Sequence, residues 1–320
     1  MLSGDMFKHK HTVFNDIDDL YTQTILPQLL PLEDERKKFW RSFKITAPIL
    51  VMIILAIAGF VYVRSSQVGA LIFGFIFSSA GVGGLYSYKS KGVRRDSKSI
   101  LMSAISHHIG LIFQNEVTVA REAIAELQQL KLLPSTIDRS HFEDSISGKF
   151  DDVDIKICEA KLEREVRSDK GKRWQTIFRG SLLEMDFHRD FLGTTIVLRD
   201  GGIFNSKRKG DMKRIGLASP KFEKIFEAYG TDQVEGRYLL TPTFMEKLME
   251  LEESVEGKKI RFAFSKGKLH VAVEHANRFE TKNLRQPITD AARVQTVIDE
   301  LESVLSIISI VSQPEKKRYS

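Results

Sequence analysis

Cysteine is almost missing from this 320-residue sequence, in which Cys158 stands alone. A single thiol excludes an internal disulfide and any cysteine-rich zinc centre. Within a segment that alternates like a strand, it reads as a small core residue rather than a nucleophile. The common phosphate and catalytic signatures are missing too. There is no Gly-Lys-Ser/Thr phosphate loop, no paired dinucleotide glycines after a strand, no Gly-x-Ser-x-Gly elbow and no His-Glu-x-x-His. A basic stripe interleaved with stacking aromatics, the mark of a nucleic-acid binder, is lacking as well. These absences weigh against an enzyme and against a nucleic-acid partner, and no cofactor is implied. The last absence is local: no Asp, Glu, Lys, Arg or His occurs within Ile45–Val63 or Val68–Tyr88.

Those two apolar runs are separated only by Arg64-Ser65-Ser66-Gln67. As helices they would span about 28 and 31 Å, close to the roughly 30 Å of bilayer hydrocarbon. The first run begins too far along the chain, and is too long, for a cleavable signal peptide. Transporters and ion pathways usually need ionisable groups in the membrane, so two bare helices read as an anchor. Core helices of a soluble protein are the alternative, but the flanking charge has no purpose there. Arg36, Lys37, Lys38, Arg41 and Lys44 precede the first run; Lys89, Lys91, Arg94, Arg95 and Lys98 follow the second; Arg64 alone lies between. This asymmetry predicts a hairpin in a bacterial inner membrane, with both termini cytoplasmic. The formal net charge of +6 is concentrated in these flanks, where cations meet anionic lipid.

Small residues recur along the second run: Ala70, Gly74 and Ser78, then Ala80 and Gly84. Such spacing lets another helix approach closely in lipid. The first run of the same hairpin is the default partner, and self-association between chains is the alternative.

Four segments are expected: a cytoplasmic N-terminal stretch over 1–44, the hairpin over 45–88, a helical connector over 89–134 and a cytoplasmic domain over 135–320. Phe14, Ile17, Leu20, Tyr21 and Ile25 fit a short amphipathic helix that Pro27 and Pro31 would end. The connector reads as helix to Leu133, with a break near Asn115. The domain then changes period. Val153, Ile155 and Ile157 alternate as a half-buried strand. In Trp174–His188 the apolar parity switches near Gly180, which predicts a bulge there. Thr194–Arg199 is a third strand. Ser219-Pro220 and Thr241-Pro242 each look like helix starts, the first carrying Phe222, Ile225, Phe226 and Tyr229. Val234–Leu240 fits a short strand or turn. Lys259–Phe264 and Leu269–Glu274 predict a hairpin, and Asp290–Ile310 a closing helix. The fold class is α+β, with a mainly antiparallel sheet and packed helices.

The runs Phe178-Arg179-Gly180-Ser181-Leu182-Leu183, Met185-Asp186-Phe187, Phe191–Val197, Phe222–Phe226, Tyr229–Pro242 and Arg278-Phe279-Glu280 resemble a bacterial family known as domain of unknown function 3137. The resemblance covers about Phe142 to Ile310, and Asp232–Pro242 is its most specific part. The family usually carries Ala where this chain has Gly236. The resemblance implies an N-terminal membrane hairpin and an encoding neighbourhood shared with LemA-type membrane proteins, a candidate partner class. It implies no activity.

Two groups of side chains are candidates for chemistry. Glu184, Asp186 and His188 alternate on one strand face, and two carboxylates with an imidazole suit a divalent metal. The same alternation also describes a solvated sheet face opposite Leu183 and Met185. Asp232, Gln233, Glu235, Arg237 and Tyr238 form the densest polar cluster. It fits a binding surface, or a set of internal contacts that orients neighbouring helices. The leading expectation is an interaction domain tethered at the bilayer, binding a protein partner or lipid headgroups; the alternative is a membrane-tethered, metal-dependent hydrolase.

Overall fold

The computed structural model describes residues 6–66, 68–168, 171–186, 191, 193–200, 212–254, 259–275, 284 and 286–316. The chain divides into two compact units, Met1–Ile105 with Glu280–Val297, and Ser106–Phe279 with Ile298–Ser320.

The first unit is helical. A 3-10 turn at Thr12–Phe14 leads through α1 (Ile17–Leu20) and a π turn (Tyr21–Ile25) into α2 (Leu26–Ser65). Phe14, Ile17, Tyr21 and Ile25 are buried, which accounts for their helical spacing. The prolines do not end the helix. Pro27 occupies the first turn, where a missing N–H is not needed, and Pro31 and Pro48 lie within α2. At its far end Ser66 turns into the left-handed region (φ 53°), its N–H donating to the Tyr62 carbonyl at 2.7 Å. α3 (Gly69–His108) follows.

Two helical stretches, Thr12–Arg64 and Leu71–His108, contain windows long and apolar enough to cross a membrane. Their apolar side chains face outward: Phe60 is 72% exposed and Phe75 71%. In a water-soluble fold such large side chains are normally covered. α2 and α3 meet through small residues. A Cβ added at Gly74 would lie 2.5 Å from the Ala58 Cβ, and one at Gly81 would touch Leu50 at 3.4 Å. Ser78 between them is buried and donates to the Gly74 carbonyl at 2.8 Å.

The second unit is built on a nine-stranded antiparallel sheet in the order β1-β2-β3-β4-β9-β8-β5-β7-β6. The strands are β1 (Leu111–Glu116), β2 (Arg139–Phe150), β3 (Val153–Ser168), β4 (Gly171–Asp186), β5 (Thr195–Arg199), β6 (Lys213–Ile215), β7 (Phe226–Gly230), β8 (Ile260–Ser265) and β9 (Lys268–Glu274). Helices α4 (Arg121–Gln129), α5 (Pro220–Glu223), α6 (Gln233–Leu239) and α7 (Pro242–Ser254) are interspersed. The last helix, α8 (Ala291–Lys316), contributes to both units. One sheet face packs Cys158, Ala160, Leu162, Phe178, Leu182, Ile196 and Tyr229 against Leu130 and Leu132 after α4. On the other face Phe244 of α7 meets Phe264 edge-on at 5.9 Å, and Phe226 meets Phe262 at 6.2 Å.

The structure departs from the expected elements in four places, three through strand pairing and one, α6, through the cap at Asp232. Residues expected to continue the connector form β1, an edge strand paired with β2. The Ser219-Pro220 start is real, with Phe222 N–H donating to the Ser219 hydroxyl. Its helix nevertheless stops at Glu223, and Phe226–Gly230 becomes a fully buried strand between β5 and β6. Val234–Leu239 is helical rather than extended. In β4 the register slips between Thr176 and Phe178, opposite Glu163 and Leu162, not at Gly180. Gly180 answers a different need: a Cβ there would collide with the Val273 carbonyl oxygen of β9. The β8–β9 hairpin forms as expected, its turn made by Lys266 (φ 51°) and Gly267 (φ 73°). Two consecutive positive φ values match the twist of a two-residue hairpin.

Candidate functional site

Asp232, Gln233, Glu235 and Arg237 each bond to backbone at or beside α6. Asp232 caps the helix, its carboxylate accepting from the Val234 and Glu235 N–H groups at 2.8 Å. Gln233 donates to the Lys213 and Arg214 carbonyls of β6. The buried Glu235 carboxylate accepts from Gly193 N–H at 2.8 Å. Arg237 donates to the Gly216 carbonyl. Glu235 and Arg237 thus contact backbone on either side of α6. Gly236 lies so close to Ile215 and Thr195 that a Cβ would overlap the Ile215 side chain. Val234 and Tyr238, four residues apart on one helix face, are exposed at 77% and 46%.

Of the proposed metal trio, His188 lies outside the described residues. Glu184 accepts from Lys268 Nζ at 2.6 Å and sits 3.7 Å from His270 Nδ1. Asp186 pairs in register with Lys268. Lys266 donates to Glu126 at 2.8 Å on the same face. The Glu184 hydrogen bond holds the Lys268 ammonium above its ordinary value, and the Lys266 hydrogen bond holds the Glu126 carboxyl below its own. Burial pushes the His270 imidazole down, against the pull of Glu184 and Glu126. His270, the imidazole beside Glu184, comes from the neighbouring strand β9.

A second polar row crosses the opposite sheet face. Glu116, Glu143, Glu159 and Ser181 are successive register partners on β1, β2, β3 and β4. The β2 bulge places Asp144 in the left-handed region (φ 53°) and buries it. Glu143, Asp144 and Glu159 each bring one carboxylate oxygen within 4.8 Å of the others, donors of the kind that suit a hard divalent cation. Ser181 Oγ lies 2.6 Å from His275 Nε2. Sequence reading could not find these residues, because only sheet register brings together positions from 143 to 275.

In the helical unit, polar contacts gather where α2 enters its apolar stretch. Arg36 donates to Glu33 through Nε at 2.8 Å and through a terminal nitrogen at 2.7 Å. Its other terminal nitrogen and the Trp40 indole N–H both donate to the Leu284 carbonyl. Ile288 N–H donates to Glu33 at 2.8 Å. Burial opposes ionisation of Glu33, but the hydrogen bonds from Arg36 and Ile288, with the charges of Arg36 and Lys37, hold its carboxyl below the ordinary range. Beside this network Phe39, Trp40 and Phe43 gather around Tyr86 of α3, with ring centroids 5.8–6.0 Å away. On α3, Gly74 and Ser78 face inward, whereas Ala80 and Gly84 are exposed, and no atom lies within 4 Å of a Cβ built on Gly84. Ala70 lies in the first turn of α3, and its side chain is outside the described ones.

No curated protein matches the chain. Among solved structures, similarity is found to the crystal structure of the mycobacterial trehalose monomycolate transport factor A, TtfA. It has 14% identity and a TM-score of 0.32, over 66% of this chain and 94% of that one. The sequence motifs find a direct counterpart: residues 176–312, from within β4 to within α8, match the family described as Protein of unknown function (DUF3137).

Proposed function

We propose that this chain is an integral membrane protein whose α+β domain is an interaction module tethered by a two-helix anchor. The observation that carries the reading is the outward-facing apolar surface of α2 and α3, uncharged over Ile45–Val63 and Val68–Tyr88. Trp40 and Tyr86 in the aromatic cluster support it, since the amphipathic rings of tryptophan and tyrosine gather at membrane–water boundaries. Cations outside both ends of the hairpin favour cytoplasmic termini in a bacterial inner membrane. Tethering raises the local concentration of the domain, so a weak contact with a membrane or cytoplasmic protein suffices. Val234, Arg237 and Tyr238 are exposed in the densest polar run of the DUF3137 segment, and partner contact is best sought there.

Carbonate extraction of membranes with the full chain, combined with a photo-crosslinker at position 234, tests both halves. Retention in the pellet and a reproducible crosslinked protein are expected. Release into the supernatant would overturn the anchor. Retention with no reproducible adduct, together with substrate turnover by the detergent-solubilised chain, would replace the interaction role with an enzymatic one.

A further inference from the structure

A pocket of about 570 Å³ lies beside the aromatic cluster, lined by Arg36, Lys37, Trp40, Arg41 and Lys44. Lys37, Arg41 and Lys44 stand at i, i+4 and i+7, so one face of α2 carries all three cations. Trp40 and Arg36 are held from behind by the Leu284 carbonyl and by Glu33, which makes the pocket wall a fixed one. The Arg36 charge is matched by Glu33. Lys37 has only an exposed contact to Asp34 at 3.6 Å. Among the described residues, no carboxylate lies within ion-pair distance of Arg41 or Lys44. Among the described residues, the pocket is therefore a concavity with an excess of positive charge and an indole on its wall.

Its depth is set by the sequence. Lys44 directly precedes the uncharged run, and Arg41 lies about 6 Å of helix rise before Ile45. The headgroup layer of one leaflet is on the order of 5–7 Å thick. The same face continues into the run as exposed Pro48, Met52 and Leu55. A guanidinium between two ammonium groups fits a phosphate, with Arg41 able to take two of its oxygens. An apolar strip running on from those cations fits the acyl chains of the same molecule. A free phosphate would leave that strip unused.

We infer that Lys37, Arg41 and Lys44, with Trp40, bind the phosphate headgroup of an anionic phospholipid whose chains lie along Pro48, Met52 and Leu55. The inference rests on the reading of α2 as membrane-spanning.

Tryptophan quenching by brominated lipid tests it. The sequence has two tryptophans, so Trp174→Phe leaves Trp40 as the sole reporter in the full chain. After reconstitution, brominated phosphatidylglycerol should quench Trp40 at several-fold lower mole fraction than brominated phosphatidylcholine. Each of Lys37→Gln, Arg41→Gln and Lys44→Gln should reduce that preference, and the triple variant should abolish it. Lys37→Arg with Lys44→Arg should keep it and controls for folding. Equal quenching by both lipids in the parent chain overturns the headgroup site while leaving the anchor intact. No quenching by either lipid, with release by carbonate, is failure of the anchor instead. Loss of the preference on adding glycerol 3-phosphate would assign the pocket to a free phosphate and overturn the lipid assignment.

Discussion

The Glu33 carboxylate accepts two hydrogen bonds from the Arg36 guanidinium, three residues later on the same helix, and both side chains are buried. Removing one partner of such a pair leaves an uncompensated charge away from water, which costs about 3–5 kcal/mol. Arg36→Met should therefore lower the thermal midpoint of the detergent-solubilised chain sharply, and Glu33→Leu combined with Arg36→Met should recover much of the loss. The pH dependence has a fixed sign. With the Glu33 carboxyl held below its ordinary value of 4.5, its contribution is present above that value and is lost as pH falls through the folded one. Thermal melts of the parent chain and Glu33→Gln should converge on acidification and separate near neutrality.

The approach of α2 and α3 at Gly74 gives a steric prediction. A methyl group there would overlap Ala58, and small-residue contacts of this kind hold helices together in lipid. Gly74→Ala should lower hairpin stability by about 1–3 kcal/mol, as overpacking does. Ala58→Gly should restore it, and Gly84→Ala should have little effect. Thermal melts in detergent would separate the three variants.

At Gly236 two effects oppose each other. Alanine favours a helix by about 1 kcal/mol, but its Cβ would displace the buried Ile215 side chain. Gly236→Ala alone should destabilise by about 1 kcal/mol, because moving a well-packed residue costs about 1–3 kcal/mol. Ile215→Val removes the overlapping methyl, so the double variant should match or exceed the parent. A denaturation series on the four combinations checks the coupling.

His270 should titrate below its ordinary value of 6.5 in the folded chain, since burial outweighs the nearby Glu184 and Glu126. The unfolded chain then takes up the proton first. This contribution to stability is complete above 6.5 and declines as pH falls through that value toward the folded one. Imidazole resonances followed by NMR should show the depressed midpoint, and Glu184→Gln should depress it further.

Burial pushes the Cys158 thiol up to about 11, and thiolate is the reactive form. Iodoacetamide should modify the native chain far more slowly than the denatured chain at the same pH. Rapid native labelling would contradict the packed position between β2 and β4.

The parts of this fold that were legible in advance are those encoded locally. The uncharged runs, the hydroxyl–proline helix start at Ser219, the β8–β9 hairpin and the amphipathic spacing of Phe14–Ile25 all depend on neighbours a few residues away. The failures share a cause. Phe226–Tyr229 carries helical spacing yet forms a strand, because β5 and β6 bury it from both sides. Pro31 looks like a stop, yet it lies inside α2, where burial of its neighbours Leu29 and Glu33 outweighs the lost backbone hydrogen bond. Leu182 and Leu183 are both buried since the sheet is covered on both faces there, which hid the register slip at Ile177. Glu184 was recognised as a candidate, but its partners Lys268 and His270 are supplied by β9. Lys37, Arg41 and Lys44 read from the sequence as topology and lipid contact, whereas the concavity they share with Trp40 belongs to the fold.

The contacts around Glu33 set an order of events during synthesis. Glu33 waits for Ile288, 255 positions later, so the earliest helices leave the ribosome long before their last contacts exist. A chain arrested within the sheet would lack the Ile288 N–H that Glu33 accepts from and the Leu284 carbonyl that Arg36 and Trp40 donate to. Closure of the polar network around Glu33 and Arg36 therefore comes after synthesis of the strands between.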